Sequence, residues 1–136
     1  MRDPDCLFCN IVAGEIPSTK VHEDEQTLAF MDVNPGARGH LLVIPREHVA
    51  DLHEIGDADL AAVARTARTM ATKVMDRLGA AGVNIVQNNG RAAWQSVFHY
   101  HVHVLPRYEN DALRLPWTPA PGDADEISAT ARALSA

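Results

Sequence analysis

The 136-residue sequence has only two cysteines, no apolar run of membrane-spanning length and no excess of positive charge. Each shortage removes a class of protein. A bilayer-crossing helix needs about twenty consecutive apolar residues, and the polar opening Met1-Arg2-Asp3-Pro4-Asp5 does not read as a secretory signal. A formal charge of −6, from 18 acidic against 12 basic residues, argues against the basic footprint of a nucleic-acid binder. An anionic substrate must then be held by local donors, against the average field. Two cysteines cannot form a disulfide framework. Cys6 and Cys9, with two residues between them, have the spacing of a metal or redox pair in a reducing compartment, and a cytoplasmic protein is expected. There is no internal repeat, and no low-complexity stretch before a tail rich in Pro, Ala and Asp.

Nearly half the chain is apolar, enough for one domain with its own core. Residues 8–13 form a short apolar helix candidate stopped by Gly14 and Pro17. Strands are expected at 20–23, 27–32 and 40–44, with a turn at Asn34-Pro35-Gly36. Residues 57–78 carry the longest helical periodicity: Leu60, Val63, Ala64, Ala67, Met70, Ala71, Val74 and Leu78 share a face. Asp57 or Asp59 is expected to cap its start, and Gly79 with Gly82 to stop it. Further strands are expected at 83–87 and 98–105, and a short final helix at 124–134. The sum is an α+β domain, one antiparallel sheet with a long helix against it.

The densest chemistry lies in His99-Tyr100-His101-Val102-His103-Val104-Leu105-Pro106. In an extended strand the three imidazoles fall on one face, while Tyr100, Val102 and Val104 face a core. Histidine can act as base, acid, nucleophile or metal ligand near neutral pH. The plain alternative is a half-exposed strand whose polar face happens to be histidine.

This run closely resembles the signature of the histidine-triad (HIT) superfamily of nucleotide hydrolases and transferases. The resemblance extends through Cys6-Leu7-Phe8-Cys9, Gly14-Glu15-Ile16-Pro17, Leu28-Ala29-Phe30-Met31-Asp32, residues 39–45 and Gln95-Ser96-Val97, and points to the histidine-triad nucleotide-binding branch. It implies a five-stranded antiparallel sheet with one long helix and a short N-terminal helix. It also implies a HIT domain over 1–107, leaving 108–136 as a C-terminal tail packed on the active site or on a dimer partner. By the same resemblance His101 is the nucleophile, attacking phosphorus to form a covalent nucleotidyl-histidine that water releases. His103 is a donor near the α-phosphate, His40 supports that network, and Ser96 donates to the leaving group with Gln95 beside it. Asp32 accepts the ribose hydroxyls, Asn88 contacts ribose or phosphate, and Phe8, Ile11, Phe30 and Val33 wall the slot for the base. The substrate class is a purine nucleotide conjugate, with loose base preference because the slot offers few base-specific donors.

Zinc-bearing members add His48 and His99 to the two cysteines, so a structural Zn²⁺ on Cys6, Cys9, His48 and His99 is expected; otherwise the cysteines simply pack in a core. The family usually forms a two-fold dimer, which residues 57–78 and 83–87 would supply here. Three departures stand out. Trp94 replaces a small residue near the phosphates, so the channel narrows or the loop swings outward. Arg107 after Leu105-Pro106 is more like the dinucleoside-polyphosphate branch. Trp117-Thr118-Pro119 resembles a segment that reaches the partner's active site in phosphoramidate-cleaving relatives. His22 and His53 match no catalytic position and are expected on solvated faces. Phosphoramidate or other AMP-X hydrolysis leads. Dinucleoside polyphosphate hydrolysis, a non-enzymatic nucleotide sensor and a catalytic metal on the three histidines remain as alternatives.

Overall fold

The computed structural model describes residues 2–114 and 116–135. In chain order the elements are α1 (Leu7–Val12), β1 (Lys20–Glu23), β2 (Thr27–Met31), β3 (Leu41–Pro45), α2 (Asp57–Leu78), β4 (Gly82–Gln87), a 3₁₀ turn (Arg91–Ala93), β5 (Val102–Arg107) and α3 (Ala124–Ser135). The strands form one antiparallel sheet in the order β1-β2-β3-β5-β4. Among the described residues no helix is long and apolar enough to cross a membrane.

The two-residue period of β2 and β3 sorts their side chains into separate cores. Ala29, Leu41 and Val43 face α2, where Val63, Ala67, Met70 and Val74 close over them. Leu28, Phe30, Leu42 and Ile44 face the opposite way, against Phe8, Cys9 and Ile11 of α1. The central strands are therefore buried on both faces and read as unbroken apolar runs. On the α2 side the buried Thr27 and Thr66 hydroxyls lie 2.8 Å apart and satisfy each other. Asp24 ties the β1–β2 turn by accepting from the Gln26 and Thr27 backbone N–H groups.

Helix α2 spans the predicted residues, but its start differs. Gly56 is the N-cap and no side chain caps it, whereas Asp57 and Asp59 lie inside the first turn. There their charge complements the positive end of the helix instead of satisfying a specific N–H. Gly79 ends the helix as expected, in the left-handed region at φ 70°.

The histidine segment also differs from a uniform strand. β5 begins only at Val102, so His99, Tyr100 and His101 precede the ladder. In its place the Tyr100 N–H donates to Val49 O at 2.7 Å, and the His99 ring donates to Pro45 O at 2.8 Å. The alternation survives this loss of pairing: Tyr100, Val102 and Val104 join the α2 core. His103 pairs with Leu42 in register, which puts it on the α1 side. One face of the sheet is thus pure core, and the other carries the chemistry.

The tail leaves β5 through a fixed corner. Arg107 grips Asp111 with two hydrogen bonds of 2.8 and 2.7 Å, and the Tyr108 hydroxyl donates to Arg38 O at 2.7 Å. α3 follows close to the expected place with none of its residues buried. His53 is exposed, and the half-buried His22 lies 2.8 Å from Asp24.

Candidate active site and metal centre

The α1 side of the sheet holds a cleft of about 280 Å³ lined by Phe8, Ile11, Phe30, Val33, Asp32, Ser96, His101 and His103, among others. Phe8 sets its shape. Its ring stands edge-on to Phe30 at 5.4 Å and to His101 at 5.1 Å, so the aromatic wall is braced directly against the central histidine.

The protonation pattern of the histidines follows from their partners, because a backbone carbonyl only accepts and a backbone N–H only donates. His101 Nδ1 lies 2.7 Å from His99 O, so Nδ1 carries the proton and Nε2 keeps a free lone pair. His99 Nε2 lies 2.8 Å from Pro45 O, so its free lone pair is on Nδ1. The Gly36 N–H donates to His40 Nδ1 at 2.9 Å, which leaves the His40 proton on Nε2. That proton reaches His103 Nδ1 at 2.9 Å, and His103 then carries its own proton on Nε2. The result is one ring with a lone pair available for attack, beside another with an N–H available to donate.

Burial keeps these rings neutral. It pushes His99 and His103 down to about 4, and it also lowers His40 and His101 below the ordinary value of 6.5. The cause in each case is desolvation of the charged form, only partly opposed near His40, His101 and His103 by the Asp32 carboxylate. Asp32 caps its own turn by accepting from the Asn34 N–H at 2.8 Å, and its second oxygen lies 3.4 Å from His40 Nε2.

Not every expected residue reaches the cleft. Gln95 is buried and its amide is used within the chain: Oε1 accepts from the Gly90 N–H, while Nε2 donates to Ala50 O at 2.7 Å and Val97 O at 3.2 Å. It fixes the loop that presents Ser96 and does not face a ligand itself. His40 and Asn88 are absent from the lining; His40 acts one ring behind it, and Asn88 follows the end of β4. Trp94 does not narrow the channel. It sits at φ 70° with 71% of its surface exposed, so the loop turns it outward. Arg107 is engaged by Asp111, Asn84 and the Leu113 carbonyl, and does not line the cleft. Unassigned by the sequence reading, Ile16, Pro17 and Ser18 complete one wall. For Ile16 and Pro17 the signal was the Gly14-Glu15-Ile16-Pro17 run, whose pattern named a family without naming a role; Ser18 lies just past it.

Behind the cleft, Cys6, Cys9, His48 and His99 bring their ligand atoms within 4.8 Å of one another. Both cysteines are free thiols. Cys6 Sγ lies 3.4 Å and Cys9 Sγ 3.6 Å from His99 Nδ1, and Cys9 Sγ lies 3.3 Å from His48 Nδ1. Zinc–sulfur bonds of about 2.3 Å and zinc–nitrogen bonds of about 2.0 Å at tetrahedral angles would separate such ligands by about 3.5 Å. The free lone pair of His99 is on the nitrogen that faces the sulfurs. The donor set therefore fits a tetrahedral zinc. Asp3, not anticipated, adds outer support: its N–H reaches Cys9 Sγ at 3.4 Å, and its carboxylate lies 3.9 Å from His48 Nε2. Asp32, His40 and His103 also cluster, but the Gly36 donor forces the His40 proton onto the nitrogen a metal would need. That group is a hydrogen-bond chain.

Residues 13–110 match the HIT domain. The adenosine 5′-monophosphoramidase hnt1 of Schizosaccharomyces pombe is 40% identical over 131 residues, covering 96% of both chains. The crystal structure of SMU.412c from Streptococcus mutans superposes with a TM-score of 0.92 at 39% identity, covering 98% of this chain and 85% of that one. A zinc-bound histidine triad family protein from Mycobacterium smegmatis superposes with a TM-score of 0.78 at 38% identity, covering 96% of each chain. A protein with this triad, sheet and cleft is of the histidine-triad nucleotide-binding type. The chain belongs to the HIT family.

Proposed function

We propose that this protein hydrolyses purine nucleoside 5′-phosphoramidates and related AMP-X bonds through a nucleotidyl intermediate on His101. The observation that carries this reading is the 2.7 Å bond from His101 Nδ1–H to His99 O, which leaves Nε2 unprotonated in a ring that burial keeps neutral. The base occupies the slot between Phe8, Ile11, Phe30 and Val33, and Asp32 accepts from the ribose. His101 Nε2 attacks the α-phosphorus as the bond to the amine breaks. The His103 Nε2–H donates to the phosphoryl oxygens as their charge develops, and the Ser96 hydroxyl gives its proton to the departing nitrogen and regains one from the water that enters in the next step. Water then displaces His101 from phosphorus, giving the nucleoside monophosphate and restoring the neutral ring. Supporting this choice over dinucleoside polyphosphate hydrolysis, the Arg107 that favoured the latter is held by Asp111, away from the cleft.

Cys6, Cys9, His48 and His99 would hold a structural Zn²⁺, which when bound pins α1, and with it the Phe8 wall, to the triad segment. A reducing cytoplasm suits the two thiols. β4 pairs only with β5 and leaves Ile85 53% exposed beside Leu60, Ala64 and Ala71 of α2. Covering that edge with a second copy across a two-fold axis removes the liability of an open strand. The HIT domain would end near residue 107, with 108–136 as an appended tail.

Replacing His101 with Gly should lower turnover of an AMP–amine conjugate by several powers of ten while AMP binding persists. Diadenosine polyphosphates should be cleaved more slowly than the conjugate by the parent. Near-parental turnover in His101→Gly would remove the covalent reading, and a parent preference for the polyphosphates would favour the other substrate class. Metal analysis of protein purified without chelator should return about one zinc per chain, and Cys9→Ser should lose it; metal-free protein of full stability would exclude the structural role. Light scattering at micromolar concentration should give twice the chain mass, and a monomer mass would refute the paired edge.

A further inference from the structure

The base slot contains one anomaly. Among the described residues, Ser18 Oγ is the buried side-chain oxygen for which the protein provides no hydrogen-bond partner. Ser18 follows Pro17 on the segment joining α1 to β1, and it lines the same cleft as Phe8, Ile11 and Phe30. Elsewhere the interior satisfies its hydroxyls, as Thr27 and Thr66 do at 2.8 Å. A buried hydroxyl without a partner carries its full desolvation cost, so its place in a ligand cleft asks what pairs with it.

Elsewhere in the cleft Asp32 accepts from the Asn34 backbone within one turn, the His101 and His103 rings lie 5.2 Å apart, and Asn34 and Ser96 line the cleft with them. Beside Ile11, Ile16 and Pro17 the wall is otherwise apolar; Ser18 lines it, with its Oγ turned in from the open cleft and left unpaired. We infer that Ser18 is a base-reading residue: its hydroxyl donates a hydrogen bond to a ring nitrogen of a purine seated in this slot. A serine hydroxyl turns between three staggered positions without moving the backbone, and it donates through one O–H. Purine ring nitrogens present lone pairs in the plane of the base, where such a donor can meet them. This inference rests on the nucleotide reading above and sharpens it, since the slot then selects the base by a polar contact as well as by burial.

Isothermal titration of AMP and its 1-deaza, 3-deaza and 7-deaza analogues against the parent, Ser18→Ala and Ser18→Thr tests this without turnover. In the parent, one analogue should bind about tenfold more weakly than AMP, a factor typical of one lost hydrogen bond. In Ser18→Ala, AMP should weaken to that analogue's affinity and the two should become equal. Ser18→Thr, which keeps the hydroxyl, should retain the discrimination. The ligand-free Ser18→Ala protein should unfold at the parent's denaturant midpoint or above it, because no bond is lost and an unpaired group is removed. If AMP binds the parent and Ser18→Ala shows the parent's affinities for all four ligands, the base-reading role is wrong while the nucleotide reading stands. If AMP does not bind the parent, the nucleotide reading fails and this inference goes with it.

Discussion

The 2.7 Å hydrogen bond from His101 Nδ1 to the His99 carbonyl is the contact on which the site depends. A carbonyl can only accept, so the ring is left with one arrangement of its proton and a free lone pair on Nε2. The same device recurs one residue pair earlier, where Pro45 O takes the His99 Nε2 proton and turns the lone pair of Nδ1 toward Cys6 and Cys9. At His40 the sign is reversed: the Gly36 N–H donates to the Nδ1 lone pair, so the ring keeps its proton on Nε2 and donates from there to His103 Nδ1. Four rings of the same chemical type thereby hold their protons and lone pairs in four different directions, set in three of them by the backbone group each one meets and in His103 by the His40 ring.

Such assignments persist only where water cannot scramble them. The division of the sheet supplies that dryness. Its α2 face buries Val63, Ala67, Met70 and Val74 against Ala29, Leu41, Val43, Val102 and Val104 with no chemistry to perform. Its α1 face holds the histidines behind Phe8, and there burial lowers the pKa of His40, His99, His101 and His103. The short helix α1 then has two tasks, since Cys6 and Cys9 flank the same Phe8 that walls the cleft. The candidate metal ligands and the wall of the cleft are joined through one turn of helix. In that arrangement the free lone pair of His99 faces the sulfurs and not the cleft.

Much of this was legible because it is periodic. The bounds of α2, the apolar runs of β2 and β3 and the alternation around His101 follow from spacings of 3.6 and 2. What was not legible depends on non-local partners. Asp57 looks like a cap in the sequence, yet the chain enters the helix at Gly56 and places the aspartate one position too late. β5 starts late because the Val49 carbonyl meets Tyr100 before the ladder begins. Gln95 sits beside Ser96 in sequence, but loop closure onto Ala50 consumes its amide. Trp94 faces outward for a reason local patterns do not carry, a left-handed backbone at a bulky residue. The Ser18 hydroxyl is the clearest case, because a missing partner is visible only once every neighbour is in place.

The chemistry of the site depends on where the protons are. Long-range ¹H–¹⁵N correlation of the histidine-labelled, ligand-free protein near neutral pH reads the protonated nitrogen of each ring directly. It should find His101 protonated on Nδ1 and bare on Nε2, with His40 and His103 protonated on Nε2. A His101 ring bearing its proton on Nε2, or bearing both protons at that pH, would contradict the assignment of His101 as the attacking group.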